Sequence, residues 1–360
     1  MMRLPWYGKT VPHGVLDILR GCNCRCAACY NATREPDCKT LDQLKAELTV
    51  LRHHRNLKAV SLSGGEPLMH PQVLEIVRWL TAEGLVAASL TNGILFTDDM
   101  AAKLADAGLR MISLHIQKGQ ARPDLADGDA RSLLRGKGEL ARRHGIFPAM
   151  VETIAAGDRA GFAEMARFLR ATPAFEYALV TVAGDFGKIR SDVARSDVPV
   201  WTMLEALDAE GFSPAVFVGG RYRRDVPRWY IMQSIQATDR NGREMAWNRM
   251  RPGLVERGFL WGYALLCRKS LHWVPTTSAK LKSRLLVNGL TGGRISTFLF
   301  ALRAIIRGWI VSEKHIIVQL PPYSLGDGRV ECCDNCPDAT VRNGRLHPVC
   351  LGDIEEEVPL

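Results

Sequence analysis

Short apolar runs alternate along residues 14–182 with longer segments in which apolar residues recur at helical spacing. The apolar runs predict six β-strands, at Val15–Leu19, Ala59–Ser63, Leu85–Thr91, Met111–His115, Phe147–Ile154 and Glu176–Val182. The segments between them predict five helices, at Leu41–His53, Pro71–Glu83, Asp98–Ala107, Ala130–His144 and Gly161–Ala171. This alternation predicts an α/β fold, as an open parallel sheet or as a barrel with fewer than eight units. In either architecture the active site lies at the carboxyl ends of the strands.

The pattern changes after residue 183 and divides the chain into three predicted domains. Residues 1–210 contain the strand–helix alternation. Residues 211–330 mix glycine, proline, arginine and tryptophan, so we expect an irregular or helical extension there. Residues 331–360 form a cysteine-containing segment with an acidic run near its end.

The composition narrows the class of protein. Of 360 residues, 47% are hydrophobic and 24% are charged, which excludes disordered, collagen-like and multi-span membrane chains. A net charge of +9 favours acidic partners such as anionic lipid, nucleotide, nucleic acid or an acidic protein. No apolar signal segment opens the sequence, so we expect a cytoplasmic protein. Cytoplasmic thiols stay reduced, and the ten cysteines therefore predict metal sites rather than disulfides.

Three cysteines follow the first predicted strand at the spacing C-x3-C-x2-C: Cys22, Cys26 and Cys29. Three thiolates in one tight loop can bind three irons of a [4Fe–4S] cluster and leave the fourth iron open, or they can hold a structural zinc ion. Cys24 lies between them, and we expect its thiol to point away from the cluster.

A glycine-rich turn, Ser63-Gly64-Gly65-Glu66-Pro67, follows the second predicted strand. Its glycines expose backbone groups where a ligand must approach closely, and Glu66 can accept hydrogen bonds from an ammonium group. With the cysteine spacing, this turn resembles the radical S-adenosylmethionine (SAM) superfamily over residues 14–182. The resemblance implies a partial (β/α)6 TIM-like barrel with a C-terminal Cys-rich extension. It also implies an enzyme whose [4Fe–4S] cluster, on the three cysteines, binds SAM and cleaves it reductively to a 5′-deoxyadenosyl radical.

Polar residues at later strand ends are further candidates for contact with the cofactor. Thr91 and Asn92 close the third predicted strand, and Glu152 lies on the fifth. On the fourth, His115 shares a polar face with two other polar side chains, which predicts that this face lines a lumen. The alternative for His115 is a buried core histidine with satisfied hydrogen bonds.

A second group of cysteines lies near the C-terminus, where Cys333, Cys336 and Cys350 have the spacing C-x2-C-x13-C and Cys332 is adjacent. Thiolates at this spacing can bind an auxiliary [4Fe–4S] cluster or Zn²⁺. The arrangement resembles the SPASM or twitch-type extensions of radical SAM enzymes, and the GTP 3′,8-cyclase family has the same spacing. Our sequence lacks the Gly-Gly tail of that family.

Two cysteines stand apart from both groups. Cys38 is interpreted as structural or exposed at the surface. Cys267 follows an apolar stretch, so it is either simply buried or a further ligand of the C-terminal site.

Residues 293–311 are the most hydrophobic stretch of the chain and predict an amphipathic helix. The predicted apolar face is Ile295, Phe298, Leu299, Leu302, Ile305, Ile306 and Trp309. Arg294 and Arg303 lie at its edges. The face predicts either peripheral contact with the inner face of a membrane, or cover for a lipid-like substrate, or docking onto the barrel.

These features predict a radical SAM enzyme that abstracts hydrogen from an organic substrate. The substrate classes that the sequence favours are a lipid-like small molecule, a peptide undergoing maturation and a nucleotide. A flavodoxin or ferredoxin is expected as the electron donor, because such proteins are acidic and this chain is basic. Specific nucleic-acid binding is not expected. The alternative outside enzymes is a structural metal-binding protein.

Overall fold

A computed structural model describes residues 2–3, 11–24, 26, 29, 37–125, 129–183, 200–219, 227–249, 252–267, 277–292, 294–324, 330–331 and 336–352. The strands are β1 (Met2–Arg3), β2 (His13–Leu19), β3 (Ala59–Gly64), β4 (Val86–Thr91), β5 (Met111–His115), β6 (Phe147–Ala155), β7 (Tyr177–Ala183), β8 (Ser213–Gly219), β9 (Pro227–Thr238), β10 (Glu244–Asn248), β11 (Ile310–Gln319), β12 (Tyr323–Ser324), β13 (Val330–Glu331), β14 (Ala339–Arg342) and β15 (Arg345–Pro348). The helices are α1 (Leu41–His54), α2 (Val73–Ala82), α3 (Asp98–Ala107), α4 (Ala130–Arg143), α5 (Arg159–Ala171), α6 (Val200–Ala209), α7 (Leu254–Cys267), α8 (Ser278–Thr291) and α9 (Ile295–Ile306).

Strands β2 to β7 lie side by side in chain order, and each is joined to the next by one of the helices α1 to α5. All five pairings are parallel; Leu16 pairs with Leu62, Leu62 with Ser89 and Ser89 with Ile112. The sheet stays open at β2. The prediction of a partial (β/α)6 barrel is therefore confirmed.

Each barrel helix buries one apolar stripe against the sheet, as α1 illustrates. Its buried residues are Leu44, Leu48 and Leu51, which recur at the spacing of one helix face. The helix begins at a capping box: Thr40 Oγ1 accepts a hydrogen bond from the Gln43 backbone N–H at 3.3 Å, and the Gln43 side chain accepts one from the Thr40 N–H at 2.7 Å.

Beyond β7 the same sheet continues into residues that we expected to be irregular or helical. Strand β11 pairs in parallel with β7, β9 pairs antiparallel with β11, and β8 pairs antiparallel with β9. The sequence pattern did not predict β9 because Gln233, Ser234 and Gln236 interrupt its apolar residues. Residues 211–330 therefore combine an extension of the sheet with a helical layer, which we define as helices α7, α8 and α9.

Helix α9 is shorter than predicted, because Gly308 adopts a positive φ of 64° and β11 begins at Ile310. It packs on α8 and on the sheet through Thr297, Phe300, Ala301 and Ala304. Most of the predicted apolar face is exposed instead: Ile295, Leu299, Leu302, Ile305 and Ile306. The smaller residues face inward because α8 approaches closely, as shown by Gly289, where a Cβ would lie 2.6 Å from the Phe298 backbone nitrogen.

The C-terminal hairpin, formed by β14 and β15, lies at the open edge of the barrel beside β2 and α1. The buried guanidinium of Arg55 holds the segment before it, donating hydrogen bonds to the backbone oxygens of Cys336 at 2.6 Å, Pro337 at 3.0 Å and His13 at 2.8 Å. His13 Nδ1 lies 3.1 Å from the Asp338 carboxylate. The hairpin thereby covers the side at which the barrel is incomplete.

Candidate functional site: a cysteine-lined cavity at the strand ends

A cavity of about 210 Å³ opens at the carboxyl ends of the parallel strands. Its wall includes the cysteine loop, the ends of β3 to β7 and β11, and three residues of the C-terminal segment. The polar and thiol side chains in the wall are Cys22, Cys24, Cys26, Cys29, Ser63, Thr91, Asn92, Ser113, His115, Thr153, Thr181, Gln319, Asp338 and Cys350. The cavity therefore lies at the carboxyl ends of the strands, where we expected the active site.

The four cysteines after β2 share this cavity. Cys24 does not point away: its thiol is buried, and its Sγ lies 3.7 Å from the Sγ of Cys26. Its backbone N–H donates a hydrogen bond to Cys22 Sγ at 3.4 Å. Burial raises the pKa of Cys26 to about 12, and the nearby thiols of Cys24, Cys29 and Cys22 act in the same direction. Burial likewise raises the pKa of Cys22.

The two glycines after β3 are required by the backbone of the cysteine loop. Gly64 has a φ of 121°, and a Cβ at Gly64 would lie 2.0 Å from the Leu19 carbonyl oxygen. A Cβ at Gly65 would lie 2.0 Å from the Gly21 carbonyl oxygen. The Gly65 N–H donates a hydrogen bond to Leu19 O at 2.6 Å, and the N–H of Glu66 donates one to Gly21 O at 2.9 Å. We expected these glycines to allow a ligand to approach the backbone. In the structure it is the backbone of the cysteine loop that approaches them, and the turn fixes the position at which that loop begins.

Glu66, which we expected to contact the cofactor, is fully buried and does not line the cavity. Its carboxylate accepts hydrogen bonds from Thr91 Oγ1 at 2.6 Å, the Asn92 N–H at 2.8 Å and the Leu68 N–H at 3.1 Å. Burial raises the pKa of Glu66, and these hydrogen bonds oppose the shift. Glu66 therefore links the ends of β3 and β4, and its neighbour Pro67 is buried in the short 3₁₀ turn that follows.

His115 and Glu152, both predicted from strand periodicity, have different surroundings. The His115 ring lies in the cavity wall, 3.0 Å from Gln117 Oε1, and burial lowers its pKa, so the ring is neutral at pH 7. Glu152 lies outside the wall and accepts hydrogen bonds from both terminal nitrogens of Arg131, at 2.8 and 2.9 Å. The alternation of side chains along β6 explains this, because its neighbours Val151 and Thr153 line the cavity.

Sequence reasoning missed the loop after β5. Gln120 Nε2 lies 3.6 Å from Cys26 Sγ. The side chain of Arg122 is fully buried and donates hydrogen bonds to the backbone oxygen of Asn92 at 2.8 Å and to both carboxylate oxygens of Asp124 at 2.6 and 2.9 Å. The Asn92 amide reaches back to the cysteine loop, 3.8 Å from Cys22 Sγ. The position of this loop directly after a barrel strand was the signal that could have identified it.

The C-terminal cysteines differ in placement. Cys350 lies in the cavity wall, whereas Cys336 is buried among Val11, Trp229 and Ile317. Cys332 and Cys333 lie outside the described residues. Cys38 is exposed and lies before α1. Cys267 ends α7.

Comparison with known proteins identifies the domain that holds the cysteine loop. Residues 16–151 match the family model of the radical SAM superfamily. The chain carries a radical SAM domain. This domain includes most of β2, the cysteine loop, β3 to β5, the Gly64-Gly65 turn and most of β6.

Known relatives match part of the chain rather than the whole of it. An AdoMet-dependent heme synthase of Methanosarcina barkeri is 34% identical over 113 residues, which are 29% of this chain and 31% of that protein. The PqqA peptide cyclase of Methylocella silvestris is 34% identical over 121 residues, 31% of this chain and 31% of that protein. The structure of Streptococcus suis SuiB bound to the precursor peptide SuiA has a TM-score of 0.44 and 16% identity, covering 56% of this chain and 45% of that one. The chain thus spans about a third of the length of these curated relatives.

The side chains around the cavity fit an iron–sulfur cluster by their chemistry. Thiolates are the ligands that such clusters take in proteins, and Cys22, Cys26 and Cys29 bring three of them to one cavity. Burial and neighbouring thiols disfavour the negative thiolate form of Cys26, and a bound cationic centre offsets that cost. No three His, Cys, Asp or Glu side chains of the described residues converge on a single metal ion, so the fit rests on donor type and the shared cavity.

Proposed function

We propose that this protein is a radical SAM enzyme whose reaction takes place in the cavity at the strand ends. The observation that carries the proposal is that Cys22, Cys26 and Cys29 of the radical SAM domain line the same cavity as polar groups from six strands. Cys22, Cys26 and Cys29 would hold a [4Fe–4S] cluster, which with SAM would supply the radical chemistry that removes a hydrogen atom from an organic substrate.

The protein's own residues hold and shield this site. Asn92 and Gln120 place amide groups beside the sulfurs of Cys22 and Cys26, where they stabilise negative charge on sulfur. Glu66 fixes the position of Asn92, because its carboxylate accepts a hydrogen bond from the Asn92 backbone N–H. We assign SAM contacts to Ser63, Gly64, Gly65, Thr91, Asn92 and His115, which line the cavity. Glu66 does not line the cavity, but its carboxylate accepts hydrogen bonds from two of these residues, Thr91 and Asn92, and Pro67 follows it in a 3₁₀ turn.

The substrate that we propose is an organic molecule with an apolar part. Leu90, Val151, Leu179 and Val182 contribute apolar surface to the cavity wall. A peptide substrate is the second candidate, because a relative that matches part of this chain is a PqqA peptide cyclase. A nucleotide is the third candidate, because another relative of this chain is a GTP 3′,8-cyclase and because of the spacing of the C-terminal cysteines.

A second metal centre and an electron donor complete the proposal. Cys333, Cys336 and Cys350, with Cys332 adjacent, would hold an auxiliary [4Fe–4S] cluster or Zn²⁺. The position of Cys350 in the cavity wall supports a centre close to the substrate. A cytoplasmic flavodoxin or ferredoxin would supply the electron, since its acidic surface complements a basic chain.

The test is anaerobic reconstitution of the full chain with iron and sulfide, followed by dithionite and SAM. We expect about eight irons per chain with two clusters, or about four irons and one zinc if the C-terminal site binds zinc. The wild type should release 5′-deoxyadenosine. Cys26→Ala should lose about four irons and all release, because one of three ligands is missing.

Cys38→Ala is the matched control, since Cys38 is exposed and does not line the cavity. It should behave as the wild type. If the wild type releases no 5′-deoxyadenosine, or Cys26→Ala releases as much as the wild type, the proposed reaction is wrong and a structural metal-binding role takes its place.

A further inference from the structure

Exposed apolar side chains are concentrated in one region of the molecule. Among the described residues, nineteen large hydrophobic side chains are exposed, and fourteen of them lie between Leu254 and Ile310. This region contains the helical layer and the first residue of β11. A concentration of this kind marks an interaction surface, because single exposed hydrophobic residues are normally scattered.

Helices α8 and α9 direct this apolar surface away from the sheet. Both helices bury one stripe in the same cluster with β9 and β11, α8 through Leu281 and Leu285 and α9 through Phe300 and Ala304. The stripe opposite the buried one therefore points outward on both helices. On α9 the outward stripe is Ile295, Leu299, Leu302 and Ile306; on α8 it is Lys280, Ser283, Val287 and Leu290.

Helix α7 adds to the same layer. Glu256 is its polar anchor, paired with Arg284 of α8. Its apolar side chains are mostly exposed: Leu254, Val255, Phe259, Trp261, Leu265 and Leu266. At 14 residues the helix is too short to cross a bilayer, which needs about 20. More generally, no helix in the described part of the chain has the length and hydropathy of a membrane span.

The same region carries almost all of the net charge. Residues 252–310 contain nine lysines and arginines but one acidic residue, Glu256, so this segment has a net charge of +8 in a chain of +9. Arg257, Lys280, Arg303 and Arg307 are exposed. Apolar side chains beside basic ones are the surface that binds to anionic lipid headgroups, because the charges attract the headgroups and the apolar groups enter the acyl boundary.

We propose that the helical layer docks on the surface of an anionic lipid bilayer, with the outward stripe of α9 inserted at the headgroup level. The proposal does not depend on the reaction in the cavity. Flotation with vesicles of phosphatidylcholine alone, and of phosphatidylcholine with about one third phosphatidylglycerol, tests it. The full chain should float with the anionic vesicles, float little with the neutral ones, and detach as salt is raised, because salt screens the attraction.

Two pairs of variants separate this surface from the rest of the protein. Leu299→Ser with Ile306→Ser should reduce partitioning into anionic vesicles about tenfold or more, since both side chains lie on the outward stripe. The matched control is Val86→Ser with Trp201→Ser, because those side chains are exposed by 47% and 73%, against 45% and 72% for Leu299 and Ile306. The control should float as the wild type.

The charge is tested in the same way. Arg303→Gln with Arg307→Gln should weaken binding to anionic vesicles about fivefold per charge. The control is Arg78→Gln with Arg110→Gln, which removes the same charge from exposed positions outside the layer and should have a smaller effect.

The proposal is overturned if the wild type floats with neither vesicle or if the layer variants float as the wild type does. It is also overturned if the chain is a dimer that Leu299→Ser with Ile306→Ser dissociates while no vesicle is bound, because the layer then joins two copies. Release of 5′-deoxyadenosine in solution by the layer variants reports separately on the reaction.

Discussion

In the radical SAM domain the helices bury their apolar stripes, whereas in the helical layer they expose them. Helix α1 buries Leu44, Leu48 and Leu51 and leaves polar residues in solvent. Helix α9 buries Thr297, Ala301 and Ala304 with Phe300 and leaves four large aliphatic residues outward. An apolar stripe thus predicts a helix in both regions, but only the partner surface decides which face is buried.

The difference extends to the charges. The barrel helices carry ion pairs, such as Arg52 of α1 with Glu83, the residue directly after α2, and Lys103 with Asp99 within α3. Residues 252–310, the part of the sequence that contains the helical layer, have one acidic residue against nine basic ones. The helices of the radical SAM domain thus present paired charges to solvent. Residues 252–310 instead combine an excess of positive charge with exposed apolar side chains, which is the composition of an interaction surface.

The largest effect that we expect tests the close packing of the barrel at Gly65. In Gly65→Ala the new Cβ would lie 2.0 Å from the Gly21 carbonyl oxygen, so the start of the cysteine loop must move. We expect a loss of at least about 3 kcal/mol in the free energy of unfolding, or no folded protein, and loss of iron from any chain that folds. Denaturant unfolding and iron analysis measure both.

Gly136→Ala is the control for this change, because Gly136 lies in α4 and a Cβ added there would have no other atom within 4 Å. It should stabilise the protein by about 0.5–1 kcal/mol. Equal stabilities of Gly65→Ala and the wild type would contradict the described contact between the two loops.

The next effect compares the two faces of α9. Phe300→Ala removes a buried ring from the cluster between α8, α9 and the sheet and should cost about 3 kcal/mol. Leu299→Ala, on the outward face, should change stability by less than about 0.5 kcal/mol in the absence of lipid. Thermal or denaturant unfolding checks both; a larger cost for Leu299→Ala would mean that the apolar face is the docked one.

The smallest effect concerns β11, the strand that joins the two regions. Burial lowers the pKa of Lys314 to about 8, and its ammonium group donates to the backbone oxygens of Thr172 and Phe175. In the unfolded chain a lysine titrates near pH ~10.4, so between these values the unfolded state binds more protons and the free energy of unfolding rises with pH. We expect a rise of about 2 kcal/mol from pH 8 to 10.

Lys314→Met should abolish this rise, since no titrating group remains at the position. Lys58→Met, at an exposed site, should keep it. Unfolding curves at several pH values measure the difference, and identical pH profiles for the wild type and Lys314→Met would contradict a depressed pKa at Lys314.

The sequence predicted the helices and strands of the barrel well because the residues that define each element lie within that element or next to it. Thr40, Gly108 and the apolar stripes act within one helix or turn, and their elements lie within two residues of the predicted bounds. The continuation of the sheet into β8, β9 and β11 depends on pairing between distant segments, which no local pattern records. The inward face of α9 depends likewise on Gly289 of α8.

The candidate site divides in the same way. The cysteine loop, the glycine turn, Asn92 and His115 could be found because each directly follows or ends a strand. Arg122 could not be assigned a role, because its contacts with Asn92 and Asp124 are set by how the loop after β5 folds back. Glu152 was predicted to face the cofactor, but its neighbours on β6 line the cavity and Glu152 pairs with Arg131 instead. Only the structure shows which face of β6 meets the cavity.

The seam between β2 and the C-terminal hairpin joins residues very far apart in the chain, since His13 contacts Pro337 and Arg55 contacts Cys336. A ribosome releases β2 to β7 long before it releases residues 336–352. Until then the cavity lacks the wall supplied by Asp338, Val349 and Cys350, and it stands open at the edge where these residues later pack.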